Sequence, residues 1–253
     1  MKHMSQFVTT TFMVLVSCQQ VFGQWQDWTD AKETHRWKDP GNWTTDLVPT
    51  VETEGVVLKS LPGPTITGTA AVKSFVRIGA DKDSRLTISK GGSLTVKTAV
   101  ALGCTDKVTG TLVMSKGSSL NVHQFYLGTG GRTASDKALS GKGQLLMGGG
   151  TIECTYFIVA RIGNLGAEGS ALLKAGTVKC WDFNMSRDCI IPPRVDIWDA
   201  MIVQSRNDVK RVKDWVHSGW IVGFGGKGEV VVDFDTADHP NCTVITAKRT
   251  SLE

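Results

Sequence analysis

The sequence predicts an all-β fold: a single-stranded, right-handed parallel β-helix (β-solenoid) of about five coils, with a cap at each end and one short C-terminal helix. A short motif, Arg, Ala or Tyr followed by Ile or Leu and then Gly, recurs along the chain and ends at Gly79, Gly103, Gly128 and Gly163. Their intervals of 24, 25 and 35 residues are typical of stacked β-coils. Apolar residues also fall into columns across the repeats, which favours this fold over the alternative, an antiparallel β-sandwich.

Three columns of apolar residues predict three short strands in each coil. The first column consists of pairs two residues apart, Val76/Ile78, Val100/Leu102, Phe125/Leu127, Ala160/Ile162 and Phe183/Met185. The second contains Leu86, Leu112, Leu145 and Leu172, and the third contains Val96, Val122, Cys154 and Cys180. A spacing of two indicates strands with one face in a core. Glycine-rich segments between them supply corners, because glycine adopts backbone angles that a Cβ penalises.

Residues 1–23 are predicted to be a signal peptide. The apolar stretch from Phe7 to Val16 follows Lys2 and is too short to span a bilayer. We favour cleavage before Gln24, although the residues ending at Cys18 resemble a bacterial lipobox and leave lipoprotein anchoring at Cys18 open. In either case the expected location is secreted or cell-surface, with no transmembrane segment.

The remaining chain divides into three predicted parts. Residues 24–60 form a Trp-rich N-terminal cap, residues 61–205 the coils, and residues 206–253 a C-terminal cap. In the last cap, Asp208 to His217 predicts a helix, followed by strands at 220–224, 229–234 and 243–247. The extra residues between Gly128 and Gly143 predict a loop that projects from one corner.

Several segments together resemble a group of exported bacterial proteins, common in planctomycetes and their relatives. These segments are Asn42-Trp43-Thr44 to Pro49, the coils from Gly79 to Cys180, and Gly219-Trp220-Ile221 to Thr246. In that group a Trp-containing opening leads into degenerate glycine-containing coils. The resemblance covers most of the chain after residue 23 and implies a β-helix and an exported location. It provides no catalytic residues.

Composition and motifs argue against several functions. The net charge of +4 is small, and no basic run is interleaved with aromatics, so no nucleic-acid partner is expected. Gly223 to Gly228 satisfies GxGxxG, but Glu229 begins another strand, whereas a dinucleotide site needs a helix there. The acidic residues around Asp235 suit a solvated strand face. We therefore expect no cofactor, no metal and no catalytic residue.

The cysteines leave two possibilities open. Cys154 and Cys180 share a column in neighbouring coils, so they form either a disulfide or a pair of buried thiols. A second disulfide between Cys189 and Cys242 would close the C-terminal cap. Cleavage before Gln24 leaves five cysteines, so at least one is not in an intramolecular disulfide.

The outward residues of the first column form the candidate binding surface. Alternation turns outward Phe75 and Arg77, Ala99 and Ala101, Gln124 and Tyr126, Val159 and Arg161, and Asp182 and Asn184. The predicted ligand-binding residues are Arg77, Gln124, Tyr126, Arg161, Asp182 and Asn184. Such a grid suits a polysaccharide, through bidentate arginine and ring stacking, although a solvated sheet surface has the same pattern.

The predicted function is that of an exported, non-catalytic module that binds polysaccharide or another cell-envelope component, or that serves as a cell-surface structural element. The outward residues of the second column, Thr87, Val113, Leu146 and Leu173, are apolar enough to need a cover and allow self-association. The alternative is a polysaccharide lyase or glycoside hydrolase on the same scaffold. That reading rests on fold analogy, because the sequence shows no convincing pair of catalytic carboxylates.

Overall fold

The computed structural model describes residues 24–129, 141–160, 166–186 and 189–250, and almost all of its regular structure is strand. One α-helix, α1 (Val209–His217), and two short 3₁₀ helices, Pro40–Asn42 and Phe224–Gly226, are present in these residues. The strands in chain order are β1 (Trp25–Asp27), β2 (Gly55–Leu58), β3 (Thr65–Ile66), β4 (Thr69–Val72), β5 (Phe75–Ile78), β6 (Ser84–Ile88), β7 (Ser93–Leu102), β8 (Thr109–Met114), β9 (Ser119–Leu127), β10 (Lys142–Met147), β11 (Thr151–Val159), β12 (Glu168–Met185), β13 (Arg194–Gln204), β14 (Ile221–Gly223), β15 (Gly228–Thr236) and β16 (His239–Arg249).

The strands wind into a β-solenoid of about seven turns with three faces. On the first face β1, β2, β5 and the C-terminal parts of β7, β9, β11 and β12 pair in parallel. The second face consists of β3, β6, β8, β10, the N-terminal parts of β12 and β13, and β14. The third contains β4 and the intervening parts of the long strands, and the antiparallel β16 closes it.

The parallel pairing confirms the predicted solenoid and does not favour the sandwich. The expected five coils are too few, because the segment assigned to the N-terminal cap contributes β1 and β2 as the first two rungs of the first face. Leu58 ends β2 without a following glycine, so the repeated motif does not mark this turn. The handedness remains a prediction.

The first column is confirmed at Ile78, Leu102 and Leu127, which pair in register and are fully buried. The prediction for the next turn is wrong: Phe157 and Val159, not Ala160 and Ile162, pair with Phe125 and Leu127. Ala160 lies at the corner instead, and its backbone N–H donates to the Leu127 carbonyl at 2.7 Å.

Ala160 shows why the motif misled the alignment. Its φ of 59° matches the left-handed corner values of 74°, 64° and 72° at Gly79, Gly103 and Gly128. An alanine therefore occupies a position that usually favours glycine. The Gly163 motif lies three residues further on, outside the described residues, as do Arg161 and Ile162.

The second column needs a similar correction. Ala171 pairs with Leu145, so Leu172 is not in the core column and is half-buried on the outer side. Leu173, predicted to be outward, pairs with Met147 and is fully buried. A shift of one residue exchanges the two sides of a strand. The outward apolar row of the second face is therefore Thr87, Val113, Leu146 and Leu172.

Aromatic residues close the N-terminal end of the solenoid and fill its core. Trp28, Trp37 and Trp43 are buried, and the Trp43 ring meets the other two edge-on at 5.0 and 4.8 Å. Phe125, Phe157 and Phe183 stack inside successive turns, with centroids 5.7 and 5.3 Å apart.

The C-terminal elements agree with the sequence prediction. The helix α1 buries Val212 and Trp215, and the Trp215 ring lies edge-on to Phe183 at 5.4 Å. After β14, a 3₁₀ turn at Phe224–Gly226 leads directly into β15, so the GxGxxG segment is a hairpin connection. The predicted loop between Gly128 and Gly143 lies largely outside the described residues. None of the described helical structure is long and apolar enough to cross a bilayer.

Candidate ligand trough on the first face

An open trough crosses the first face over β5, β7 and β9 and encloses about 490 Å³. Its floor is formed by Ala99 and Ala101 of β7, whose side chains are short. Parallel neighbours lie about 4.8 Å apart, so the walls on β5 and β9 are separated by about 10 Å. Large side chains on both neighbouring rungs convert the flat sheet into a groove along β7.

The first wall is formed by Phe75 and Arg77 of β5, and Trp25, which does not itself line the trough, supports both side chains. Trp25 of β1 stacks on Phe75 of β5 with centroids 6.1 Å apart and ring planes 11° apart. Gly55 of β2 lies between them, and a Cβ there would come within 2.5 Å of the Trp25 ring. The Arg77 guanidinium lies over the same ring, 4.7 Å from its centroid. Arg77 is therefore held in place by a cation–π contact.

The opposite wall is formed by Gln124 and Tyr126, on the same side of β9. The Tyr126 hydroxyl donates a hydrogen bond to Gln124 Oε1 at 2.8 Å. This bond fixes the ring and the amide relative to each other, and it orients the Gln124 oxygen toward Tyr126. Both side chains are half-buried, so part of each remains accessible from the trough.

Charged residues line one part of the trough. Lys59 Nζ donates to Asp27 Oδ2 at 2.6 Å, and this hydrogen bond, with the nearby carboxylates of Asp27 and Asp81, raises the pKa of Lys59. Lys59 is thus protonated and already paired. Within the described part of the chain no carboxylate lies within 4.0 Å of the Arg77 guanidinium. Of the two cationic side chains that line the trough, Lys59 is paired with Asp27, and Arg77 has no anionic partner among the described residues.

Three corner segments complete the lining with Ala80, Asp81, Cys104, Thr105 and Thr129. The Thr105 hydroxyl donates to the Ala80 carbonyl, and Cys104 Sγ lies 3.4 Å from the Ala101 carbonyl oxygen. Burial raises the pKa of the Cys104 thiol. Cys104 is therefore protonated at neutral pH and is not an activated nucleophile.

The structure brings together only part of the predicted grid. Arg77, Gln124 and Tyr126 line the trough, whereas Asp182 lies two rungs beyond Gln124. The Asp182 carboxylate is engaged by Arg206 at 3.2 Å and by Arg211 at 2.8 Å. Asn184 lies two rungs beyond Tyr126, outside the trough.

The predicted outward pair Val159 and Arg161 is not confirmed. Val159 is fully buried in the core column, and Arg161 lies outside the described residues. Tyr156 and Ile158 take the outward positions on this rung, because they pair with Gln124 and Tyr126.

Sequence reasoning missed the contribution of the N-terminal segment. Trp25, Asp27 and Lys59 were assigned to a cap, and only the parallel pairing of β1 and β2 places them beside β5. The sequence carries no alternation signal for β1, because its exposed residue is the apolar Trp25 and its buried residue is the polar Gln26, the reverse of the usual strand pattern.

The structure contains neither predicted disulfide. Cys154 and Cys180 pair in register, as predicted, but both are thiols, and Cys242 is also a thiol. In-register parallel neighbours hold their Cβ atoms near the strand spacing of about 4.8 Å, whereas a disulfide prefers about 3.8 Å. Burial raises the pKa of Cys154 to about 12 and that of Cys180 well above its ordinary value. Cys180 is buried in the core and Cys154 is partly buried against it, so both thiols pack as small apolar groups.

Comparison with protein families, characterised proteins and solved structures finds no match for the chain. In the described ranges no group of three or more His, Cys, Asp and Glu side chains is placed to hold a metal ion. The trough lining offers an accessible guanidinium, an oriented aromatic ring, one side-chain amide and several hydroxyl groups.

Proposed function

We propose that this protein is an exported, non-catalytic β-solenoid module that binds a segment of acidic polysaccharide in the trough. The observation that carries the proposal is the position of Arg77, which lies on Trp25, has no carboxylate partner among the described residues, and stands opposite Tyr126 across Ala101 in the pairing register. Export and the cell-surface location are parts of the proposal that rest on the sequence.

Each wall suits a different part of a sugar acid. The guanidinium fork of Arg77 matches the geometry of a carboxylate, and its contact with Trp25 restricts its orientation before any ligand arrives. The Tyr126 ring presents a surface on which the apolar face of a sugar ring can stack. Gln124 and Thr105 place polar groups beside the same floor, where they can meet sugar hydroxyls.

The charges of the trough define how an acidic ligand would be held. Asp27 and Asp81 balance Lys59 and Arg77, so the four side chains have no net charge. A polyanion would therefore be held by a directed contact to Arg77 and not by a general positive field. This arrangement predicts selectivity for sugars whose carboxylate can reach Arg77 while a sugar ring stacks on Tyr126.

The alternative function is that of a cell-surface structural element that self-associates through the apolar row of the second face. Leu146, at the middle of that row, is 38% exposed. The trough is not required for this function. Loss of trough side chains would then leave the behaviour of the protein unchanged.

Affinity electrophoresis in gels containing polygalacturonate, alginate or hyaluronate tests the proposal. We expect at least one of these polymers to retard the intact protein. Arg77→Ala and Tyr126→Ala should each weaken binding about tenfold, or about 1.4 kcal/mol. High salt should reduce the effect of the arginine change and leave the effect of the tyrosine change, because only the former depends on charge.

Two variants serve as controls for this experiment. Arg85→Ala removes another exposed arginine, on the outer side of the second face, and should not alter retardation. Tyr126→Phe keeps the ring and should retain most of the binding. A reducing-sugar assay on the same polymers distinguishes binding from cleavage. If no polymer retards the intact protein, or if Arg85→Ala weakens binding as much as Arg77→Ala, the proposal is wrong.

A further inference from the structure

A cluster of aromatic residues, of which Trp181 and His123 are exposed and Tyr156 is half-buried, lies beside the trough, where the third face turns into the first. The rings of Tyr156 and Trp181 pack edge to face with centroids 5.9 Å apart, and His123 packs edge-on to Tyr156 at 5.5 Å. We call the pair Tyr156 and Trp181 the aromatic step. Trp181 is 49% exposed, which is unusual for the largest apolar side chain in a folded protein.

The exposed Trp181 ring is held by specific neighbours. The Arg206 guanidinium lies over it, 5.3 Å from the ring centroid. Arg206 is in turn fixed by Asp182 at 3.2 Å and by Asp208 at 2.7 Å. One side of the indole is thus supported by an arginine whose charge is already balanced. The result is a pre-oriented aromatic surface that faces solvent, which is the arrangement expected of a binding anchor.

The aromatic step lies beyond the β9 wall of the trough, in the direction of the solenoid axis and so across the line of the groove along β7. In the pairing register, Ala99 of the floor is followed by Gln124 of the wall, then by Tyr156 and then by Asp182, the residue after Trp181. Three strand spacings separate the floor from the rung of Trp181, or about 14 Å. Gln124 therefore lies in the trough and next to the aromatic step at the same time.

We infer that the aromatic step is a second subsite for the same polysaccharide, whose chain leaves the groove along β7 over the wall at Gln124 and runs along the solenoid axis to Trp181. This inference rests on the proposed function of the trough. Because Arg206 is paired with two carboxylates, the step offers ring stacking and no available charge. The sugar residue bound there is recognised by its apolar ring face and not by its carboxylate.

The test compares short and long ligands. The probes are two-residue and six-residue oligomers of whichever of polygalacturonate, alginate and hyaluronate binds the intact protein, and their dissociation constants are measured by calorimetry. A two-residue oligomer can occupy the trough alone, so Trp181→Ala should leave its binding unchanged. Binding of the six-residue oligomer should weaken roughly five- to tenfold, and this loss should persist at high salt.

Trp181→Phe is the matched variant, because it keeps an aromatic ring at the same position and should restore most of the affinity for the longer oligomer. Tyr126→Ala should weaken the binding of both lengths. If Trp181→Ala weakens neither length, or weakens both equally, the second subsite is disproved while the trough proposal stands. If none of the three polymers binds the intact protein, the proposed function and this inference both fail.

Discussion

Replacing Leu127 by aspartate is expected to prevent folding or to leave only aggregated protein. Leu127 is fully buried in the first column, between Leu102 on one rung and Val159 on the next. A buried carboxylate without a partner costs several kcal/mol, whereas a whole domain is stable by only about 5–15 kcal/mol. The substitution also lies in a middle turn, so it interrupts stacking in both directions. Far-UV circular dichroism and thermal melting of the purified variant measure the effect.

Leu146→Asp is the matched control for this prediction, because it makes the same substitution on a rung of the second face. Leu146 points outward and is 38% exposed, so its replacement should leave the protein folded. A soluble Leu127→Asp variant with an unchanged melting temperature would contradict the assignment of the core columns. Equal damage from both substitutions would indicate general sensitivity to added charge.

Replacing Trp43 by alanine is expected to destabilise the protein by about 3–5 kcal/mol. Trp43 is 2% exposed, packs edge-on against Trp28 and Trp37, and donates from Nε1 to the Trp37 carbonyl at 2.9 Å. Its loss would leave a cavity at the N-terminal end of the solenoid and deprive the Trp37 carbonyl of this donor. Urea unfolding, followed by circular dichroism, measures the change in the free energy of unfolding.

Trp25→Ala offers the comparison for Trp43, because Trp25 is 37% exposed and lies on the outer side of the first face. We expect the free energy of unfolding to fall much less in the Trp25→Ala variant than in the Trp43→Ala variant. Its effect should instead appear in ligand binding, since Trp25 supports Arg77. Equal destabilisation of the two variants would contradict the assignment of Trp43 to the buried N-terminal end of the solenoid and of Trp25 to its outer surface.

The sequence predicts the core column correctly wherever a glycine occupies the corner that follows it. Gly79, Gly103 and Gly128 mark corners, and the residues before them alternate between core and surface, so the first column was predicted correctly there. The prediction failed at Ala160, which adopts the corner conformation without being glycine. Ile162-Gly163, further along the chain, has the sequence of the motif. Only the hydrogen bond from the Ala160 N–H to the Leu127 carbonyl shows that the corner lies at Ala160.

The candidate site was less predictable for a similar reason. Arg77, Gln124 and Tyr126 could be assigned to one surface because alternation fixes which side of a strand they occupy. The stacking of Trp25 on Phe75 depends on β1 pairing with β2, and Gly55 supplies the space for it. No local pattern shows which turn lies beside which when the first turns lack the repeated motif. The corner residues that close the trough have no periodicity from which they could be predicted.

Protection of Cys104 from alkylation tests the central proposal most directly, because this thiol lines the trough. Burial raises the pKa of Cys104, so labelling with N-ethylmaleimide is run above neutral pH and followed by mass spectrometry with and without the polysaccharide that binds. Cys242 in β16, at the C-terminal end of the solenoid, is the internal control. We predict that the polysaccharide slows labelling of Cys104 and leaves that of Cys242 unchanged. Labelling of Cys104 that is unaffected by a bound polysaccharide would place the ligand elsewhere and contradict the proposal.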